Sequence, residues 1–171
     1  MKIKVKKLNP LINLPSFIKK GDWVDLEAAE EIYMRAPYAK NRTNEAVEQK
    51  QIYFNSYLIP LGVAMQLPEG YEAIICPRSS SFRKWGIIQT NSIGVIDNSY
   101  CSNEDEWKPP VIAFKNQKIK QGERVCQFRV QLSQKASMIQ KIKWLLNSKI
   151  EFEECEDLNN EVRGGFGSTG V

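Results

Sequence analysis

Short apolar runs, each closed by a turn residue, constrain this chain more than any other feature. Leu61 to Leu67 is apolar, and Pro68-Glu69-Gly70 interrupts it before Tyr71-Glu72-Ala73-Ile74-Ile75-Cys76 begins. Gln121-Gly122-Glu123 turns the chain into Arg124 to Val130, where Val125, Phe128 and Val130 supply apolar faces. Ile52 to Ile59 alternates in part, and Val111 to Phe114 is another short run. Strands of this length between regular turns favour an antiparallel barrel or jelly roll. A parallel α/β sheet needs repeated helical crossovers, and none is legible here. The fold expected is all-β.

Four segments stand apart from that rhythm. The start, Met1-Lys2-Ile3-Lys4-Val5-Lys6-Lys7, alternates charged and apolar residues and reads as an edge strand. Met34 to Gln51, rich in Lys, Arg, Asn, Gln and Glu, reads as a solvated loop. Between Ala136 and Asn147, residues Met138, Ile139, Ile142, Leu145 and Leu146 fall at helical spacing, with Lys141 and Lys143 on the other side. A helix is expected there, and strand alternation resumes at Ile150 and Phe152. Finally, Arg163-Gly164-Gly165-Phe166-Gly167-Ser168-Thr169-Gly170-Val171 is too rich in glycine to bury a core of its own. The expected organisation is one domain over 1–162 and a mobile arm over 163–171 that serves the same site.

With 171 residues, 42% of them hydrophobic, the chain has enough material for one packed core. No apolar run approaches the ~20 residues of a membrane helix. The N-terminus lacks the continuous apolar core of a signal peptide, so an intracellular, cytoplasmic protein is expected. A net charge of +4 is too small for a dedicated nucleic-acid binder. That charge is polarised: Lys2, Lys4, Lys6, Lys7, Lys19 and Lys20 crowd the start, and Glu151, Glu153, Glu154, Glu156, Asp157 and Glu161 crowd the end.

The chain contains no histidine. Ser-His-Asp and Cys-His hydrolysis, His-ligated zinc and imidazole acid–base chemistry are therefore excluded. The four cysteines, Cys76, Cys101, Cys126 and Cys155, are nowhere at C-x-x-C spacing and are expected to be free thiols. Chemistry must rest on carboxylates, hydroxyls, cations, backbone amides or a hard metal ion.

Three clusters offer those groups, and each also has a plainer explanation. Pro77-Arg78-Ser79-Ser80-Ser81 sets one guanidinium beside hydroxyls that suit phosphoryl oxygens, although Ser-rich stretches are usually loops. Asn91-Ser92-Ile93-Gly94-Val95-Ile96-Asp97-Asn98-Ser99-Tyr100 puts one carboxylate after an apolar strand. There Asp97 is either a turn cap or a base held within hydrogen-bond reach of a water. In the tail, Arg163, Ser168, Thr169 and unhindered backbone N–H groups form either a phosphate cradle, with Phe166 stacking on a base, or a plain disordered end. Gly165, Gly167 and Gly170 formally spell G-x-G-x-x-G, but one residue after Gly170 leaves no room for the helix a dinucleotide fold needs.

Taken in order, the clusters resemble the five motifs of the trimeric dUTP pyrophosphatases. The first looks like Gly21-Asp22-Trp23-Val24-Asp25-Leu26-Glu27-Ala28, with Trp23-Val24 where the family usually has Ala-Gly. The second is matched by Pro77-Arg78-Ser79-Ser80, with Gly86-Ile87 at the expected distance, and the third by Gly94-Val95-Ile96-Asp97 through Tyr100. Gly122-Glu123-Arg124-Val125-Cys126-Gln127 looks like the fourth, and Arg163 to Gly170 like the fifth. After Tyr100 the chain reads Cys101-Ser102-Asn103-Glu104-Asp105-Glu106-Trp107 instead of the common Gly-Glu continuation, which is similar to the branch found in Gram-positive bacteria and their phages. Relative to that branch, the stretches 34–51 and 136–147 look like insertions.

The resemblance implies an antiparallel jelly roll of the dUTPase β-clip type, with the helix near 136–147 as an insert. It implies a homotrimer with shared active sites, where the tail closes over a neighbour's nucleotide. The activity implied is Mg²⁺-assisted attack of water on the α-phosphorus of dUTP, giving dUMP and pyrophosphate. By the same resemblance Asp97 activates the water and Ser79 donates to the α,β-bridging oxygen. Arg78, Ser80 and Gln127 hold phosphate oxygens, and Asp25 touches the metal through water. Asn91 and the backbone at Val95 and Ile96 read uracil, and Tyr100 packs under the deoxyribose. Arg163, Ser168 and Thr169 clamp the γ-phosphate, Phe166 covers the base, and Gly167 of the same tail also binds the substrate. The alternatives are a dCTP deaminase, a bifunctional deaminase–pyrophosphatase, and a catalytically idle regulatory homologue. A regulatory protein partner is compatible with the sequence but not indicated by it.

Overall fold

The computed structural model describes residues 1–17, 21–41 and 50–165. Its strands in chain order are β1 (Lys2–Lys7), β2 (Val24–Glu27), β3 (Ile32–Met34), β4 (Tyr38–Asn41), β5 (Lys50–Tyr53), β6 (Ser56–Leu58) and β7 (Val63–Gln66). After β8 (Tyr71–Pro77) come the short helix α1 (Ser81–Trp85), β9 (Ile87–Gln89), β10 (Gly94–Asp97), β11 (Pro110–Ala113) and β12 (Gln117–Ile119). The long strand β13 (Arg124–Leu132), helix α2 (Met138–Leu146) and β14 (Glu151–Glu154) complete the chain.

A four-stranded sheet has the order β10-β8-β13-β2, antiparallel throughout. Alternation explains most of it: Tyr71, Ala73 and Ile75 of β8 face the core, as do Cys126, Phe128 and Val130 of β13, and an irregularity in the pairing near Arg124 buries Val125 beside Cys126. Trp107 and Phe128 meet edge to face at 5.2 Å in the interior, and both are fully buried. The turns read from Pro68-Glu69-Gly70 and Gln121-Gly122-Glu123 are where expected, with Gly70 at φ 83° and Gly122 at φ 78°. Left-handed backbone of this kind costs a side-chain-bearing residue, so glycine marks the reversal.

Two expectations are corrected. Strand β1 is not an edge strand: it lies between β14, which it pairs in parallel, and β7, which it pairs antiparallel. Ile3 and Val5 point into the core while Lys2 and Lys4 face solvent. The polarised charge explains the choice of partner, because the basic start and acidic end of the chain lie side by side, with Lys2–Glu153 and Lys7–Glu154 ion pairs at 3.4 Å. Such exposed pairs add little stability, so apolar faces hold the strand and charge only favours this neighbour. The second correction concerns 34–51, which is not simply a loop: β4 and β5 pair as an antiparallel ribbon, Tyr38 stacking on Tyr53 at 5.5 Å. Aromatic cross-strand pairs of this kind stabilise a ribbon that has no buried face.

Helix α2 forms where periodicity predicts it. Ser137 and Gln140 close a reciprocal capping box at its start. Its apolar residues Met138, Ile139, Ile142, Leu145 and Leu146 are nevertheless exposed, and contact with the body runs through Trp144 against Tyr71 at 5.5 Å and Gln140 on the Glu69 carbonyl. Helix α1 was not anticipated; it ends at Gly86, whose φ of 63° lets the chain turn straight into β9. All four cysteines are free, as expected.

Candidate active site

Strand β10 carries Asp97 at its end, opposite Glu72 of β8. Beside β10 lies a cavity of about 270 Å³, near the lower end of the ~300–1,000 Å³ typical of ligand pockets. Gln89, Asn91, Val95, Ile96, Tyr100 and Trp107 are among its walls, and Arg163 to Gly165 close one side. The Asn91–Ile93 turn passes through Ser92 in left-handed backbone, φ 58°, so Asn91 sits at the mouth of the cavity.

The Asp97 carboxylate accepts hydrogen bonds from the Ser99 N–H at 2.9 Å and from the Ser99 hydroxyl. Its other oxygen takes Arg163 Nη1 at 3.0 Å. Burial alone would raise this carboxyl, but the Ser99 bonds and the Arg163 cation outweigh it and hold the group below its ordinary value. Asp97 is therefore ionised at neutral pH and able to accept a proton. Tyr100 behaves oppositely: burial, with Asp105 and Glu106 nearby, keeps its phenol above the usual value, and its hydroxyl donates to the Glu106 carbonyl at 3.0 Å. A Cβ added at Gly165 would meet Tyr100 Cε2 at 3.1 Å, so the arm passes close over the tyrosine ring only because it is glycine there.

Asp105 fixes the arm's root. It is 1% exposed, and it accepts from Ser102 N–H at 3.0 Å, Gly164 N–H at 3.1 Å and Arg163 N–H at 3.4 Å. Burial works to raise this carboxyl, and the backbone and side-chain donors outweigh it and lower it. The root of the expected arm, 163–165, is thus held by its own chain. Residues 163–165 lie against the chain's own cavity, because a buried carboxylate needs donors and the arm's backbone supplies two. Phe166, Gly167, Ser168 and Thr169 lie outside the described residues.

A second constellation occupies the far edge of the same sheet. The Asp25 side chain on β2 is 7% exposed, and its two oxygens take Arg78 Nε at 2.8 Å and Arg124 Nη1 at 3.2 Å. The aspartate of the first motif thus holds arginines from the second and fourth. Ser79 and Ser80 are exposed beside them, and Gln127 reaches the Pro77 carbonyl at 3.5 Å. Ser81 is buried instead, its hydroxyl donating to the Val125 carbonyl at 2.9 Å, which ties α1 to β13 and leaves Ser79 and Ser80 outward. The arrangement gathers cations and hydroxyls that suit a polyphosphate.

These two constellations are distant within one chain. Asp97 aligns with Glu72 and thence Gln131, while Asp25 aligns with Gln127 and Cys76. Four residues along β13 at ~3.3 Å each, and three strand spacings of ~4.8 Å, separate them by on the order of 20 Å.

Sequence reasoning missed several residues of the two constellations. Gln89 is buried at 4% and donates to Asn91 Oδ1 at 2.8 Å, and its place two residues before the motif's asparagine was a signal that was available. Asp105 carried no comparable signal, since its partners in the arm are 58 and 59 residues away in the chain. Arg124 lay inside the fourth motif without an assigned role.

A family model described as dUTPase matches residues 42–170. The chain is 40% identical, over its whole length and 99% of the relative, to the SPbeta prophage-derived deoxyuridine 5'-triphosphate nucleotidohydrolase of Bacillus subtilis (strain 168). Among solved structures, dUTPase from Streptococcus mutans superposes with a TM-score of 0.55 at 26% identity, covering 70% of this chain and 84% of that one. A mutant dUTPase from phage phi11 of S. aureus, described with a structural Mg(II) ion, gives 0.60 at 15% identity over 80% of this chain and 94% of its own.

Proposed function

The chain belongs to the dUTPase family, and from that premise we propose that it hydrolyses dUTP to dUMP and pyrophosphate at sites assembled between the subunits of a homotrimer. The observation that carries the shared site is the separation of Asp97 from the Asp25–Arg78–Arg124 cluster. A general base must lie within ~3 Å of the water it activates, and that water attacks the α-phosphorus. The phosphates of one nucleotide are strung too closely to reach from Asp97 to arginines some 20 Å away in the same chain, an estimate that follows from strand geometry. A neighbouring copy that brings its own Asp25 edge to this cavity removes the difficulty. A threefold ring does this for every subunit, since a head-to-tail contact closes on itself.

In this reading the cavity takes the nucleoside. Asn91 and the backbone at Val95 and Ile96 meet uracil, and Tyr100 lies under the deoxyribose, where a 2′-hydroxyl has no room. Asp97 accepts the proton of the attacking water. From the neighbour, Arg78, Ser80 and Gln127 hold phosphate oxygens, and Ser79 donates to the bridging oxygen as charge develops on the departing pyrophosphate. Arg163 leaves Asp97 for the γ-phosphate, joined by Gly167, Ser168 and Thr169, while Phe166 covers the base. The arm over 163–171 is then part of the active site of the domain over 1–162.

Mg²⁺ suits this site as a substrate-borne ion. Among the described residues there is no group of three or more His, Cys, Asp or Glu able to cage a metal. Asp25 holds two arginines, yet each carboxylate oxygen has a second lone pair for a water of the metal's shell. When bound, Mg²⁺ neutralises phosphate charge and fixes the geometry of the chain of phosphates.

The deciding experiment follows the products from dUTP, dTTP, dCTP and UTP, each with and without Mg²⁺. Expected are dUMP and pyrophosphate from dUTP, with Mg²⁺ required and the other three cleaved poorly. Release of ammonia from dCTP, or comparable kcat/KM for UTP and dUTP, would overturn the assignment.

A further inference from the structure

We infer that Gln89 is a positioning residue for base selection: it fixes the Asn91 amide with its NH₂ group toward the cavity, so that the site prefers a carbonyl at position 4 of the pyrimidine. The inference rests on the nucleoside assignment above and extends it to a residue that does not itself read the base.

Gln89 lies at the end of β9 and is 4% exposed, an unusual burial for an amide. Its Nε2 faces two oxygens, the Ile75 backbone carbonyl at 3.4 Å and Asn91 Oδ1 at 2.8 Å. A peptide carbonyl only accepts, so the nitrogen of Gln89 must be the group turned to Ile75. With both protons of that nitrogen directed, Asn91 must present its oxygen to Gln89. The Asn91 amide is thereby fixed, and its NH₂ is left for another acceptor.

The position of that NH₂ comes from Gly94. A Cβ built there would lie 3.5 Å from Gln89 Nε2 and 3.7 Å from Asn91 Nδ2, so both amides border the bare backbone of β10. Gln89, Asn91 and Gly94 all line the same cavity. Among the described residues Asn91 Nδ2 donates to no protein group, whereas its oxygen is committed. An NH₂ donor facing the base attracts the O4 carbonyl of uracil and repels the N4 amino group of cytosine. Asn91 is exposed in the unliganded protein, and a base seated in the cavity covers its NH₂; a donor then left opposite another donor is costly, which lets one hydrogen bond discriminate. Without Gln89 the Asn91 amide could rotate by half a turn and offer its oxygen instead, and an oxygen suits the amino group of cytosine.

Two substitutions separate this role from packing. Gln89→Met keeps length and removes the donor. Gln89→Glu, assayed at increasingly alkaline pH because burial pushes its carboxyl up, replaces the donor by an acceptor once ionised and draws the Asn91 NH₂ away from the cavity. The readout is the ratio of kcat/KM for dUTP to that for dCTP. It should fall roughly tenfold or more in the methionine variant and further in the glutamate variant, with the loss for dUTP falling mainly on KM. Asn91 in the unmodified protein supplies a measurement that needs no variant: its side-chain NH₂ resonance should shift on saturation with dUMP, while that of Gln89 moves little. Equal loss for both nucleotides in both variants, or an Asn91 resonance indifferent to dUMP, overturns the inference. Failure of the unmodified protein to cleave dUTP would instead overturn the functional assignment beneath it.

Discussion

Arg163 Nη1 lies 3.0 Å from Asp97 Oδ2, so the carboxylate assigned as the base is paired with the cation assigned to the phosphates. Without nucleotide, each neutralises the other. A triphosphate offers Arg163 a more highly charged partner, and taking it frees Asp97 to accept a proton from water. Binding and activation of the base are thus linked through one side chain.

That linkage has a pH signature. The acid limb of a kcat/KM profile reports the free enzyme's base. Arg163 helps to hold Asp97 below its ordinary value. In Arg163→Gln the limb should move to higher pH, apart from any fall in rate, whereas Arg163→Lys should largely keep its position. A limb at the same pH in the glutamine variant would mean that the pair does not persist in solution.

Asp97→Asn removes the base but keeps the shape of the cavity. The expected loss of kcat is ~10²–10⁴-fold. Affinity for a non-hydrolysable dUTP analogue should be retained, since asparagine no longer competes with the phosphates for Arg163. Isothermal titration beside a turnover assay checks both, and substantial residual kcat would assign the base elsewhere.

Asp105 predicts an acid-sensitive arm. Its folded value lies below the ordinary 3.8, so its contribution is complete above that pH and is lost as pH falls through the folded value. Asp105→Asn should cost about 1.5–3 kcal/mol at neutral pH, the range for hydrogen bonds to a charged group. The difference between the two proteins should shrink as pH falls from ~5 to ~2. Urea midpoints across that range test the sign, and a gap that widens toward acid would contradict it.

What was legible in the sequence follows from range. Turns at Gly70 and Gly122, the alternation of β8 and β13, and the capped helix after Ser137 are written in neighbouring residues. The motifs also stay local, which is why Asp97 beside Tyr100 and Arg78 beside Ser79 could be picked out. Parallel pairing of β1 with β14 joins the two ends of the chain, and no local pattern encodes a partner so distant. The hub at Asp25 was hidden likewise, because Arg78 and Arg124 approach it from other strands. Gln89 closes β9 only two positions before Asn91 and bonds it across the turn, but the motif begins at Asn91.

The distance between Asp97 and Asp25 yields the most demanding prediction, since it concerns which chain supplies which group. An Asp97→Asn protein lacks the base but keeps the phosphate arginines. An Arg78→Ala protein keeps the base but lacks a phosphate ligand. Each should be nearly inactive alone. If sites form within one chain, mixing and reassembling the two under mild denaturant should restore nothing. If each site takes Asp97 from one subunit and Arg78 from the next, every mixed trimer contains one interface where both are intact. Random mixing then returns on the order of a quarter of the unmodified activity, as cyclic threefold symmetry requires. A double variant, Arg78→Ala with Asp97→Asn, should give no recovery when mixed with either single variant, because no interface then holds both groups. No recovery in the first mixture despite trimers by light scattering would return the whole site to a single chain, whereas recovery with the double variant would mean that Asp97 or Arg78 is dispensable.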